Sequence, residues 1–99
     1  MAVVKIKFAP TFKMMFREGA ADEVRADLKA GKYAEESALF TVNGDSQDAA
    51  EEVFDLTNNP SRQDERERVY GRGRSLSTGD VVVVGEEQWV CLSFGWAEV

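Results

Sequence analysis

Two sets of charged side chains stand out by type and spacing in this 99-residue chain. Asp48, Glu51, Glu52 and Asp55 recur at i, i+3, i+4 and i+7, the spacing that aligns side chains along one helix face. Such a stripe is a negative surface suited to a basic groove on another protein; the solvated side of an amphipathic helix is the ordinary alternative. Arg62, Arg66, Arg68, Arg72 and Arg74 crowd the next stretch, which closes on Tyr70-Gly71-Arg72-Gly73-Arg74. Arginines between glycines beside an aromatic suit contact with RNA or single strands. A surface loop with Asp64, Glu65 and Glu67 as counter-ions accounts for them at least as well.

Catalytic residue types are scarce. The chain has no histidine, which removes the commonest general base and a leading metal ligand. Cys91 is the only thiol, so no intramolecular disulfide forms, and it sits between Val90 and Leu92 in a strand-like stretch. A reactive thiolate needs a helix N-terminus or a cationic neighbour, so a buried structural cysteine is expected. No serine occupies a nucleophile-elbow pattern. Asn43, Asp45 and Asp48 have residue types of a calcium loop without its spacing, and a turn with a helix cap explains them. No enzyme, metal site or cofactor is expected.

The elements that hold these groups follow from periodicity. Residues 3–8 alternate, with Val4, Ile6 and Phe8 on one side and Val3, Lys5 and Lys7 on the other, so a half-buried strand is predicted. In residues 11–17, Phe12, Met15 and Phe16 fit a short helical face. Ala20, Ala21, Val24 and Leu28 make the stripe of a helix that Gly31 closes, with acids in the first turn and Lys29 in the last. A strand over 38–42 leads through Asn43-Gly44 into a second helix capped by Asp45 or Ser46. Its buried face is predicted as Ala49, Ala50, Val53, Phe54 and Thr57, and Asn58-Asn59-Pro60 ends it. Residues 61–74 read as a long polar loop with at most one helical turn near 63–67. Residues 81–84 and 88–93 read as strands joined by Gly85-Glu86-Glu87. Trp89, Phe94 and Trp96 are expected to pack in the core, as large aromatics do in small domains.

Composition sets the frame. Hydrophobic and charged shares of 43% and 30% are those of a globular protein, and the length fits one domain over 1–99. No run approaches the roughly 20 apolar residues that span a bilayer, and Ala9-Pro10 interrupts the basic and apolar start, so a cytoplasmic location is expected. The net charge of −6 is uneven: Lys5, Lys7, Lys13 and Arg17 precede the first acid, and acids dominate from Glu18 to the second helix. Such a chain repels polyanions except at its arginine-rich stretch.

Arg74-Ser75-Leu76-Ser77-Thr78-Gly79-Asp80, the valines 81–84, Cys91 and Ser93-Phe94-Gly95-Trp96 together resemble the YodL-like group of small proteins from phages, plasmids and other mobile elements. The likeness covers about the last quarter of the chain and implies a mobile-element context, in which small inhibitors of host defence are common. Independently of it, Gly79-Asp80 forms a tight turn into a strand, and Arg74 beside Asp80 would lock that entry. The expected fold is α+β, a mixed or antiparallel sheet of about four strands with two helices on one face; parallel pairing of the first two strands is open. The expected function is an accessory protein that binds a host protein with a basic surface through Asp48, Glu51, Glu52 and Asp55. The alternative is a nucleic-acid-binding module using Arg62, Arg66, Arg68, Arg72 and Arg74 with the basic first strand.

Overall fold

The computed structural model of the chain describes residues 1–10 and 19–99. The helical face read at Phe12, Met15 and Phe16 lies outside the described residues. The class is α+β, as the sequence predicts, with a six-stranded sheet whose paired neighbours all run antiparallel.

The sheet is built around β1 (Ala2–Phe8), whose alternation sends Val4, Ile6 and Phe8 into the core. On one side it pairs with β4 (Val81–Val84), which continues to β5 (Glu87–Cys91) and β6 (Trp96–Glu98). On the other side lie β2 (Glu35–Glu36) and β3 (Phe40–Val42). These two are halves of one edge strand. Lys7 faces Glu36 and Val4 faces Phe40, so three residues on the edge oppose two on β1, the count of a bulge. There the Ile6 amide donates to Ser37 Oγ at 2.9 Å in place of a backbone carbonyl, and the Ser37 amide returns a bond to the Ile6 carbonyl at 2.8 Å. The bulge leaves Ala38 and Leu39 exposed, so the predicted strand over 38–42 shortens to its last three residues. Its pairing with β1 is antiparallel, which settles the orientation the sequence left open.

Helices cover both faces. α2 (Ser46–Asn58) packs on Val4, Ile6, Val82 and Val84, while α1 (Ala20–Lys29) sets Ala20 and Val24 against Val81 and Val90 on the reverse side. The two predicted helices therefore do not share a face. The unbroken valine run of β4 explains why: a strand buried on both sides carries apolar residues at every position rather than at alternate ones. What shares α2's face is α3 (Gln63–Val69), preceded by a 3-10 turn (Pro60–Arg62), where a loop with at most one helical turn near 63–67 was expected. Asn59 accepts from the Ser61 amide at 3.0 Å and Pro60 fills the first helical position, so the residues that end α2 also start the next helix.

The register of α2 corrects one prediction. Its buried residues are Ala49, Ala50, Val53, Leu56 and Thr57; Leu56 is 1% exposed and Phe54 41%. Leu56 lies two turns on from Ala49 and points into the sheet, whereas Phe54 stands on the helix flank. In the C-terminal hairpins Trp89 and Trp96 pack against the main core as predicted, but Phe94 sits 87% exposed at the tip of the turn closed by the Leu92 amide and the Gly95 carbonyl. The turn between β4 and β5 is only Gly85-Glu86, because Glu87 already pairs with Val84, and β5 ends at Cys91 rather than Ser93.

Candidate functional site

The motif that feeds β4 is organised around Asp80, which is fully buried. Its Oδ1 accepts from the Ala9 amide at 2.8 Å and from Arg74 Nη2 at 3.1 Å. Its Oδ2 accepts from Arg74 Nη1 at 2.8 Å and from the Ser77 amide at 2.9 Å. Burying a carboxylate is costly unless its oxygens accept hydrogen bonds, and here each oxygen has at least two donors. The Arg74 guanidinium lies 4.3 Å from the centre of the Phe8 ring, so a cation–π contact backs the ion pair. Around it, the Tyr33 hydroxyl donates to the Gly79 carbonyl at 2.6 Å, and the Gly79 amide donates to the Cys91 carbonyl at 2.8 Å. Gly79 has φ +91°, a left-handed turn that favours glycine. Arg74 thus locks the strand entry as its position suggested. A cavity of about 280 Å³ opens beside the pair, with Glu35 and Thr78 on its wall.

The other arginines divide into structural and exposed ones. Arg66 donates to the carbonyls of Thr57 at 3.3 Å, Gly71 at 3.3 Å and Gly73 at 2.6 Å, and lies over the Tyr70 ring. Tyr70 in turn donates to the Arg74 carbonyl at 2.7 Å and packs on Phe40. A Cβ on Gly73 would come within 2.5 Å of the Tyr70 hydroxyl, so this glycine is required by the ring above it. The Tyr-Gly-Arg-Gly-Arg pattern is thereby a packed loop. Arg62 is held by three carboxylates: Glu52 at 2.8 Å, Asp55 at 2.7 Å and Glu65 at 2.8 Å. The hydrogen bonds that Arg62 donates to Glu52, Glu65 and Asp55, in that order of effect, raise its already high pKa, and the bond accepted from Arg62 lowers that of Glu65. Only Arg68 and Arg72 of the predicted nucleic-acid set are exposed without a hydrogen bond or ion pair among the described residues.

The acidic stripe divides as well. All four residues lie on α2 as predicted, but Glu52 and Asp55 bind Arg62. Asp48 and Glu51 are exposed and meet no cation among the described residues; Glu51 only accepts from Gln47 at 3.4 Å. Asp45 stands exposed at the helix N-cap position without a side-chain cap bond, and Ser46 Oγ donates to Glu87 Oε2 at 3.1 Å. The β4–β5 turn therefore brings Glu86 and Glu87 to the same end of the molecule as Asp45. The positive end of the helix dipole favours this concentration of negative charge.

No family model, curated protein or solved structure matches this chain. Its chemistry is therefore read from its own side chains. Among the described residues no group of three or more candidate ligands is placed to hold a metal ion, and no helix is long and apolar enough to cross a membrane. Cys91 is buried in β5, and desolvation, with the Asp80 charge second, pushes its thiol from the ordinary 9.0 up to about 11. Burial first, then Asp27, Asp80 and Glu23, raise Tyr33 to about 12. Both groups favour the protonated form in the folded state. Their contribution to stability is complete below the unfolded values and is lost as pH rises through about 9 to 12. The thiol is expected to react with a disulfide reagent at pH 8 far more slowly in the native protein than in urea; equal rates would mean an open site. Cys91→Ser is expected to leave the fold intact with a modest loss of stability, read from the urea midpoint.

Sequence reasoning missed Tyr33, and it named Glu65 as a counter-ion without identifying its partner. Arg62 and Glu65 stand three apart, the spacing of a helical ion pair, but a loop with at most one helical turn near 63–67 does not single out that pair.

Proposed function

We propose that this protein acts by binding rather than by catalysis, and that its partner is a host protein with a basic surface. The contact is the outward side of α2, Asp48 and Glu51 at its centre, with Glu52 and Asp55 along the same stripe. The observation that carries this choice over nucleic acid is where the arginines go: Arg62, Arg66 and Arg74 are spent on carboxylates and backbone carbonyls of the chain itself. Of the arginine-rich stretch Arg68 and Arg72 remain, too few for that stretch to hold a polyanion against a net charge of −6. The resemblance of residues 74–96 to small mobile-element proteins supports a host partner, with inhibition of a defence system as the role. An acidic face on a stable scaffold suits occlusion of a basic groove, because its exposed carboxylates need no rearrangement to bind.

Asp48→Lys with Glu51→Lys is expected to abolish capture of the partner from nuclease-treated host lysate, with unchanged circular dichroism and urea midpoint. Arg68→Glu with Arg72→Glu is expected to leave capture intact. The opposite ranking, with wild-type binding to short RNA or DNA oligomers that weakens steeply with salt, would replace this function by the nucleic-acid one.

A further inference from the structure

On the reverse side of the sheet, a groove of about 360 Å³ runs between α1 and β5, lined by Lys7, Arg25, Leu28, Lys29, Gln88 and Val99. Among the described residues no acidic side chain lines it. Two of its three cations are held in place by neutral acceptors: Lys7 Nζ donates to Gln88 Oε1 at 2.9 Å, and Arg25 Nη2 to the Glu98 carbonyl at 2.8 Å. Arg25 also pairs with Asp22 at the rim, whereas Lys29 is exposed and meets no carboxylate among the described residues. The groove therefore combines fixed positive charge with an apolar floor at Leu28 and Val99.

The counterpart to such a surface is present in the same chain. The outward side of α2 offers Asp48 and Glu51 without cations and, one turn beyond Glu51, the exposed ring of Phe54. Charge signs are opposite and each surface includes an apolar element. Because α1 and α2 lie on opposite faces of the sheet, one copy cannot close this contact on itself. We infer that the groove of Lys7, Arg25 and Lys29 receives the Asp48–Glu51–Phe54 face of a second copy, in a head-to-tail contact.

Such a contact is heterologous, joining two different surfaces. The net charge of −6 does not prevent it at ordinary ionic strength, since charges beyond a Debye length of about 10 Å are screened. Among the described residues no aromatic side chain lines the groove, so they supply none of the stacking platform that single-stranded nucleic acid uses. The inference shares Asp48 and Glu51 with the function proposed above but needs no host partner, and a second copy and that partner would compete for α2.

The test uses the purified protein alone. At about 1 mM protein and about 0.1 M salt the wild type is expected to show a light-scattering mass above the monomer's 11.0 kDa, falling back toward it in about 1 M salt. A groove variant, Lys7→Gln with Lys29→Glu, and a face variant, Asp48→Lys with Glu51→Lys, are each expected to be monomeric. Mixed together they are expected to form a one-to-one complex, because the intact face of the first fits the intact groove of the second. NMR shift changes on diluting the wild type should fall in both surfaces at once, an independent readout that requires no variant to fold. A wild type that stays monomeric, a mixture no heavier than its parts, or dilution shifts confined elsewhere would each overturn the inference. Loss of oligonucleotide binding in the groove variant with unchanged mass would assign the groove to a polyanion instead. Loss of host capture with self-association intact would remove the proposed function and leave this contact standing.

Discussion

Replacing Asp80 by alanine is expected to cost about 3–5 kcal/mol of stability, because this one buried carboxylate satisfies two backbone amides and a guanidinium at once. The substitution removes the acceptor of the Ala9 and Ser77 amides together with the counter-ion of Arg74. Each buried donor left without a partner costs about 1–3 kcal/mol, though the losses overlap because all share one carboxylate. A small domain has only about 5–15 kcal/mol in reserve, so a large part of the population unfolds under mild denaturant. Arg74→Ala should cost less, since that side chain is 44% exposed and water can replace part of its role, while the amides still meet Asp80. Arg74→Lys is expected to restore the charge without the two-point geometry and to recover only part of the loss. Urea midpoints of the three variants order these effects. An Asp80→Ala protein within about 1 kcal/mol of wild type would show that this carboxylate is not what joins the start of β4 to the end of β1.

Much of this framework was legible in the sequence, and the failures have specific physical causes. The alternation of residues 3–8, the capped stripe ending at Gly31 and the Gly-Asp turn into four valines are local signals, and the structure realises each one. Arg74 and Asp80 are six residues apart across a tight turn, so their pairing was within reach of local reasoning. The loop assignment of residues 61–74 failed because Asn59-Pro60 serves two elements at once, ending α2 and capping the turn that starts α3. The edge strand was misread because Ser37 substitutes a hydroxyl for a backbone acceptor, which periodicity cannot register. The candidate sites were found as residues but not as states. Which carboxylates of the α2 stripe are uncommitted depends on Arg62 folding back over Glu52 and Asp55, seven to ten positions away.

Leu56→Asp is expected to unfold the domain, while Phe54→Asp, two residues earlier on the same helix, is expected to be nearly silent. Leu56 is 1% exposed within the main core, where it belongs to the cluster that includes Val53, Val4 and Val82. An aspartate there either carries an unpaired charge into an apolar site or folds only when protonated, and both outcomes exceed what a small domain tolerates. Even the milder Leu56→Ala should cost about 2–5 kcal/mol through lost contacts and the cavity left behind. Phe54 is 41% exposed on the flank of α2, so an aspartate there remains solvated and changes stability by about 0.5 kcal/mol. Thermal unfolding of both variants checks the helix register directly, because a rotation of α2 that buried Phe54 would reverse the ranking. The same comparison bears on function. A stable Phe54→Asp protein keeps Asp48 and Glu51 in place while removing the only large apolar side chain that α2 exposes among the described residues. If it then loses its head-to-tail contact but still captures a basic partner, the apolar contribution belongs to self-association and the charges to the partner.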